Sequence, residues 1–82
     1  MEEIKVYVEV IARFTADGRL QPVAFTWEDG RRYEIDRIVK CVRCASRKAG
    51  GVGIRYTCIV GGRECHLYYE ENLHWFMERK SA

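Results

Sequence analysis

The stretch IRYTCIVGGRECHLYY, residues 54–69, decides the fold because it reads as two strands joined by a Gly61-Gly62 turn. Glycine takes positive φ values without strain, so two adjacent glycines favour the two-residue turn of a β-hairpin. This turn sets Cys58 opposite Cys65, and successive side chains alternate between the two faces of the hairpin. The apolar face then carries Ile54, Tyr56, Cys58, Val60, Cys65, Leu67 and Tyr69. Such a pattern predicts a sheet with one face buried in a core.

The first half of the chain also reads as strands. Residues 4–14, IKVYVEVIARF, alternate over their whole length and predict a long half-buried strand whose inward face carries Ile4, Val6, Val8, Val10, Ala12 and Phe14. Residues 20–27, LQPVAFTW, predict a second strand. Pro22 lacks an amide hydrogen, and it therefore belongs at a bulge or at a strand edge.

A three-residue loop, residues 28–30 with Gly30 left-handed, leads from the second strand into a third. This loop sets Phe25 opposite Tyr33 and Val23 opposite Ile35, and all four side chains are expected to face inward. The alternation then breaks between Ile35 and Ile38. We therefore expect a bulge or bend near Asp36-Arg37, as a small barrel needs in order to close. Residues 45–53, ASRKAGGVG, predict a long loop before the hairpin.

The last segment, EENLHWFMERKSA, fits two structures. A turn followed by a strand could close a barrel beside the first strand. A helix over about residues 72–80 would instead align Leu73, Phe76 and Met77 on one side. We favour the strand, and we predict an all-β fold in which a five- or six-stranded antiparallel meander closes into an SH3-like or OB-like barrel. The alternative is an α+β fold with a C-terminal helix.

The 82 residues suffice for one small domain, predicted to span residues 1–82. The start, MEEIKVYVEV, has neither the basic nor the apolar region of a signal peptide. Apolar runs are far shorter than the roughly 20 residues of a membrane span. These features predict a cytoplasmic protein without a membrane partner, in which cysteines stay reduced.

Four cysteines raise the question of a metal site, because Cys41 and Cys44 form a C-x-x-C pair upstream of Cys58 and Cys65. Positions i and i+3 of a continuous strand face opposite ways, and six residues separate the second pair, so the spacing does not suit zinc. We expect buried cysteines that act as small hydrophobic residues, with a Cys58–Cys65 disulfide only under oxidation. No metal, no cofactor and no catalytic residue is predicted, and the protein is expected not to be an enzyme.

Four stretches of the chain carry a resemblance to known proteins: FTWEDGRRYEIDRIV, GIRYTC, GGRECHLYYE and HWFMER. Through these stretches the chain resembles small bacterial all-β barrel proteins of unknown function, some of them encoded near translesion DNA polymerases. The matching positions are Phe25, Trp27, Gly30, Arg31, Tyr33, Ile35, Ile38, Trp75 and Phe76. These are core and turn residues. The resemblance therefore implies the barrel and the C-terminal strand, and it implies no activity.

The charge is uneven along the chain. Residues 31–63 hold nine basic and two acidic side chains, whereas both ends are net acidic. A basic middle favours a polyanionic partner. Arg55, His66 and Tyr68 share the outward face of the hairpin beside Arg47 and Lys48 of the loop, and aromatic side chains flanked by cations suit unstacked bases.

The sequence therefore predicts a non-enzymatic binding module for single-stranded nucleic acid, with Arg47, Lys48, Arg55, His66 and Tyr68 as its contacts. The alternative is a protein–protein adaptor that binds through a strand edge or through an apolar patch around Ile11 and Ile59. The oligomeric state is not predicted.

Overall fold

The computed structural model describes residues 3–46, 51–70 and 73–80. These residues form seven β-strands and no helix. The strands are β1 (Glu3–Phe14), β2 (Leu20–Thr26), β3 (Arg32–Glu34), β4 (Arg37–Ser46), β5 (Gly51–Val60), β6 (Arg63–Glu70) and β7 (His74–Lys80). The all-β prediction is confirmed, and no helix in the described part of the chain is long and apolar enough to cross a membrane.

All pairings are antiparallel, and the strands form one curled sheet, in the shape of a half-barrel, in the order β3-β2-β1-β7-β6-β5-β4. Its two end strands are joined by a corner at Ile35 and Asp36. The Ile35 amide donates to the carbonyl of Val23 on β2 (2.9 Å), and the Asp36 amide donates to the carbonyl of Ile59 on β5 (2.8 Å). The bend expected near Asp36-Arg37 is thus confirmed. It divides the third expected strand into β3 and β4, so the described residues form seven strands instead of five or six.

The C-terminal segment is a strand, as favoured, and the helix over residues 72–80 is wrong. β7 pairs with β1 from Val8↔Trp75 to Glu3↔Lys80, and it also pairs with β6. An isolated helix of this length is only marginally stable in water, whereas β7 gains pairing with β1 along its length and with β6 over residues 74–76, which explains why tertiary pairing overrides the helical spacing.

The β1–β2 hairpin contains a bulge. Ile11 pairs with Ala24 and Ala12 pairs with Pro22, so Val23 is left without a partner on β1. The expected position of Pro22 at a bulge is confirmed. Phe25 faces Tyr33 as expected, and Gly30 has a φ of 85°. The inward position expected for Val23 is wrong, because the extra residue of a bulge leaves the regular alternation and this side chain is exposed.

The core lies on the concave face of the sheet. Its buried members are Phe25, Tyr56, Cys58, Leu67 and Met77, and Trp27 packs against them half-buried. The Gly61-Gly62 turn has positive φ at both residues, and β5–β6 pairing follows the expected register from Val60↔Arg63 to Arg55↔Tyr68.

Three strands, β1, β4 and β5, differ in length or burial from the expectation. β4 continues to Ser46 and β5 begins at Gly51, so the long loop expected over residues 45–53 is shorter. At the other end of the molecule, β1 extends beyond the core, and its last residue, Phe14, is 77% exposed.

Candidate nucleic-acid interface on the convex face

One row of outward side chains crosses five neighbouring strands. The register pairs Val42 with Arg55, Arg55 with Tyr68, Tyr68 with Phe76, and Phe76 with Tyr7. We call these five residues the outer row. Because neighbouring strands are about 4.8 Å apart, the row extends for about 19 Å across the convex face. Sequence analysis found two of its members, Arg55 and Tyr68.

Phe76 lies between Tyr68 and Tyr7 in the outer row and is only 2% exposed. The Tyr68 ring stacks on it at a centroid distance of 4.8 Å and an interplanar angle of 5°. The Tyr7 ring meets it edge-on at 6.2 Å, and Lys5 Nζ lies 4.6 Å from its centroid. The convex face therefore has a small aromatic cluster of its own, separate from the concave core.

An ion pair lies beside this cluster. Lys5 Nζ donates to Glu70 Oε1 at 2.5 Å, and the Tyr7 hydroxyl donates to the same oxygen at 3.3 Å. Glu70 is buried, which makes a partner for its carboxylate necessary. The hydrogen bond to Glu70 raises the pKa of the Lys5 amine above its ordinary value, with a smaller contribution from Tyr7. Both charges are thus held in place on the convex face.

Tyr68 is less available than the sequence suggested. One face of its ring is covered by Phe76. Its hydroxyl interacts with Glu78 and with Arg55, and burial, followed by the Glu78 carboxylate, raises its pKa. Arg55 Nε is shielded from solvent and has no hydrogen-bond partner among the described residues. Arg55 and Tyr68 are therefore neighbours as predicted, but they belong to a partly buried polar network.

The most accessible aromatic side chain of the outer row is Tyr7, which is 55% exposed. The exposed His74 ring lies 5.4 Å from it in an edge-to-face arrangement. Neither residue was a sequence candidate, because only the pairing of β7 with both β1 and β6 brings them beside Tyr68. The outward alternation of Lys5 and Tyr7 in the first strand was the available signal.

Basic side chains lie at one end of this face. Arg37 and Lys40 are exposed on β4, opposite Ile59 and Thr57 on β5. His66 is exposed on β6 directly opposite Thr57, as expected. Arg47 and Lys48 lie outside the described residues. The register thus places Arg55, His66 and Tyr68 on one face, and their role stays a prediction.

The apolar patch proposed around Ile11 and Ile59 is not continuous. Both side chains are on the convex face, but the strand register puts them about eight residues apart along the strand direction. At about 3.3 Å per residue this separation is about 26 Å. Ile11 is exposed and Ile59 is half-buried.

The cysteines fall into two environments. Cys58 and Cys65 face each other across β5 and β6, and burial raises the pKa of the Cys58 thiol to about 12. Burial also raises the pKa of the Cys65 thiol. Cys41 is exposed, so the interpretation of the cysteines as buried is wrong for this residue. The side chain of Cys44 lies outside the described part, within which no three histidine, cysteine or acidic side chains come together as metal ligands.

Tyr56 shows why Cys41 is not buried. Tyr56 is opposite Cys41 on the inward face, and its hydroxyl donates to the carbonyl of Leu20 on β2 at 2.5 Å. Burial, together with Cys41, raises the pKa of Tyr56 to about 12. Cys41 lies just beyond this contact, where β4 and the start of β2 leave a groove between them.

Comparisons with known proteins found no matching family model, no matching curated protein and no matching solved structure.

Proposed function

We propose that the protein is a non-enzymatic binding module that takes single-stranded nucleic acid across the outer row. The observation that carries this proposal is the row itself, which leads from Val42 and Arg55 to the exposed ring of Tyr7. The exposed cations Arg37 and Lys40 lie beside its β4 end, on the same face. Single-stranded nucleic acids bind to surfaces that combine a basic track with aromatic platforms. The curled sheet is interpreted as a small barrel of the SH3-like or OB-like kind. The resemblance to small bacterial barrel proteins implies a barrel but not which kind.

The two ends of the row have different tasks in this proposal. Bases stack on Tyr7, whose ring is the most accessible, and on the uncovered face of Tyr68. The strands that carry them, β1 and β6, lie about 10 Å apart with β7 between them. The phosphates face Arg37 and Lys40, both of which are exposed.

Glu70 is a carboxylate of this face whose charge is not expected to repel a bound nucleic acid. Glu70 is neutralised by Lys5 and is buried below the Tyr7 hydroxyl, so its charge is screened from a bound strand. Lys5 and Glu70 therefore orient Tyr7 without adding a net negative charge at the platform.

Fluorescence anisotropy with a labelled random-sequence oligodeoxynucleotide at about 50 mM salt tests the proposal. Tyr7→Ala should weaken binding by about 5- to 150-fold, which corresponds to about 1–3 kcal/mol for one stacked base. The matched control is Tyr7→Phe, which keeps the ring but loses the hydroxyl contact with Glu70, and it should lose much less affinity than Tyr7→Ala. Wild-type binding no tighter than high micromolar would overturn the proposal.

Binding measured over a series of salt concentrations tests the contribution of the β4 cations. Lys40→Ala should weaken binding of all sequences similarly and should lower the salt slope by about one unit or less. Lys40→Arg keeps the charge and serves as control. An unchanged slope in Lys40→Ala would remove β4 from the interface.

A further inference from the structure

The pairing between β6 and β7 stops partway along both strands. It covers Tyr68↔Phe76, Tyr69↔Trp75 and Glu70↔His74, whereas β6 begins at Arg63 and β7 runs on to Lys80. Within the described part of the chain, residues 63–67 are paired only with β5, and residues 77–80 are paired only with β1. We call the space between these two segments the β6–β7 opening.

The backbone of β6 offers unpaired groups to this opening. In a two-residue hairpin the residues that flank the turn, here Val60 and Arg63, form a hydrogen-bonded pair, and such pairs then alternate along the ladder. Cys65 is therefore hydrogen-bonded to β5. The amide and carbonyl groups of Glu64 and His66 point the other way, toward the β6–β7 opening. A strand edge of this kind is a template for an added strand.

A cavity lies on each side of the β6–β7 opening, and Cys65 and Met77 line both cavities. The cavity on the concave side, of about 300 Å³, is bounded by the aromatic side chains of Phe25, Trp27 and Tyr33. The cavity on the convex side has a volume of about 460 Å³, and its lining includes the polar side chains of Arg55, His66 and Glu78. The concave side of the β6–β7 opening is thus mainly apolar and aromatic, although Arg63 and Glu64 also line it, and the convex side is more polar and charged.

The polar side also holds a buried donor without an acceptor. Arg55 Nε has no hydrogen-bond partner among the described residues. A buried donor left unsatisfied is unfavourable, and an acceptor that arrives with a ligand can recover part of that lost free energy. Carboxylate and amide oxygens are suitable acceptors for a guanidinium group.

From these observations we infer that the β6–β7 opening binds an extended segment of a partner protein, which adds as a strand to the free edge of β6. Successive side chains of an added strand point to opposite faces of the sheet, so every second side chain would enter the apolar concave cavity and the others would enter the polar convex cavity. The segment is one in which aliphatic or aromatic residues alternate with Asp, Glu, Asn or Gln. Its apolar side chains enter the concave cavity, and its polar side chains reach Arg55 and His66.

Other classes of ligand satisfy fewer of these features. A small apolar molecule could fill the concave cavity, but it would leave the Glu64 and His66 backbone groups unpaired. A nucleic acid has no peptide backbone that could pair as a strand with the Glu64 and His66 backbone groups. This inference does not depend on nucleic-acid binding by the outer row.

Amide hydrogen exchange of the free protein is the first test. The amides of Glu64 and His66 should exchange at least about tenfold faster than those of Cys65 and Leu67, which are bonded to β5. Equal protection of all four amides would mean that the edge is already paired, and it would overturn the proposal.

Binding is tested with two pools of synthetic peptides of about eight residues and identical composition. One pool alternates Val, Ile or Phe with Asp, Glu, Asn or Gln, and the other places the same residues at helical spacing. The immobilised protein should retain the alternating pool preferentially, and retained peptides should slow exchange at Glu64 and His66. Failure to retain the alternating pool, equal retention of both pools, or protection confined to β4 would contradict the proposal.

Two variants at one position separate the edge from the side chain. Glu64→Pro removes the amide hydrogen that faces the β6–β7 opening while sparing the pairing with β5, and it should weaken peptide binding by about tenfold or more. Glu64→Ala keeps that amide and should bind at least about tenfold more tightly than Glu64→Pro. A thermal unfolding curve checks that both variants are folded. If folded Glu64→Pro binds as tightly as Glu64→Ala, the peptide is not an added strand on β6.

Discussion

The concave and convex faces of the sheet bury their side chains by different means. On the concave face, Cys58 and Leu67 are completely buried among other apolar side chains. On the convex face, Phe76 is equally inaccessible, but an exposed tyrosine and the Lys5–Glu70 ion pair cover it. The first face is stabilised mainly by removal of apolar surface from water, whereas the second depends also on stacking and on charge. The two faces should therefore respond differently to truncation and to pH.

The largest expected effect is on the concave face. Leu67→Ala should lower the free energy of unfolding by about 4 kcal/mol, because a side chain without any exposure leaves both a lost transfer energy and a cavity. Urea unfolding measures this change, provided that the dependence of the free energy of unfolding on urea concentration has the same slope in the variant and the wild type. The neighbouring His66 is exposed on the other face, and His66→Ala should change stability by less than about 0.5 kcal/mol. Similar losses in both variants would remove the contrast between the faces.

The second prediction concerns Phe76. Phe76→Ala should cost about 3 kcal/mol, at the low end for a buried phenylalanine, because Lys5 and Tyr7 can move into part of the space. Urea unfolding again measures the change, and Phe76→Leu, which keeps most of the apolar volume, should cost less than half as much. A loss above that of Leu67→Ala would make the convex cluster the main core.

The third prediction concerns pH. The pKa of Cys58 is raised from 9.0 to about 12 by burial, so the native state holds this proton more tightly than the unfolded state. The stabilisation is fully present below pH 9 and is lost as pH rises toward the folded value. Between pH 9 and pH 10 the free energy of unfolding should fall by about 1 kcal/mol from this thiol alone. Cys65 acts in the same direction.

Chemical unfolding at pH 8, 9 and 10 measures this dependence. Cys58→Ala should be less stable than the wild type at pH 8 but should lose less stability on going to pH 10. Cys41→Ala, which removes an exposed thiol instead of a buried one, is the matched control for the loss of a cysteine. If Cys58→Ala and the wild type lose the same amount, the concave face does not hold the thiol in its protonated form.

Local rules were enough to predict the β5–β6 hairpin from the sequence. Gly61 and Gly62 select one turn type, the turn sets the register, and the register assigns each side chain to a face. The same reasoning was wrong for Val23, because a bulge adds one residue that alternation does not count.

The outer row could be predicted only in part. Arg55 and Tyr68 belong to one hairpin, but their neighbours Phe76 and Tyr7 come from strands at the two ends of the chain. Nothing in the local pattern fixes which distant strands become neighbours, because this depends on the closure of the whole sheet. For the same reason the sequence could not reveal that Tyr68 stacks on Phe76, or that the pairing between β6 and β7 ends at these two residues.

The smallest expected effect is at Leu73, in the turn between the convex cluster and β7. Leu73 has a φ of 72°, and its amide donates to the carbonyl of Glu70 at 3.2 Å. A left-handed conformation costs a residue with a Cβ atom about 1–2 kcal/mol, whereas asparagine tolerates it better. Leu73 is 80% exposed, so its replacement loses little buried apolar area. Leu73→Asn should therefore raise the free energy of unfolding by about 0.5 kcal/mol.

The matched control is Leu73→Ala, which keeps the Cβ atom and the strain and should show no gain in the same urea titration. The turn leads directly into His74, which lies beside Tyr7. Strained positions are often found at functional sites, so we expect the exposed Leu73 side chain to contribute to oligonucleotide binding. Leu73→Asn should then be more stable and also bind the oligonucleotide more weakly. Higher stability with unchanged binding would confine the strain to the turn, and a loss of stability would show that Leu73 packs more closely than its exposure indicates.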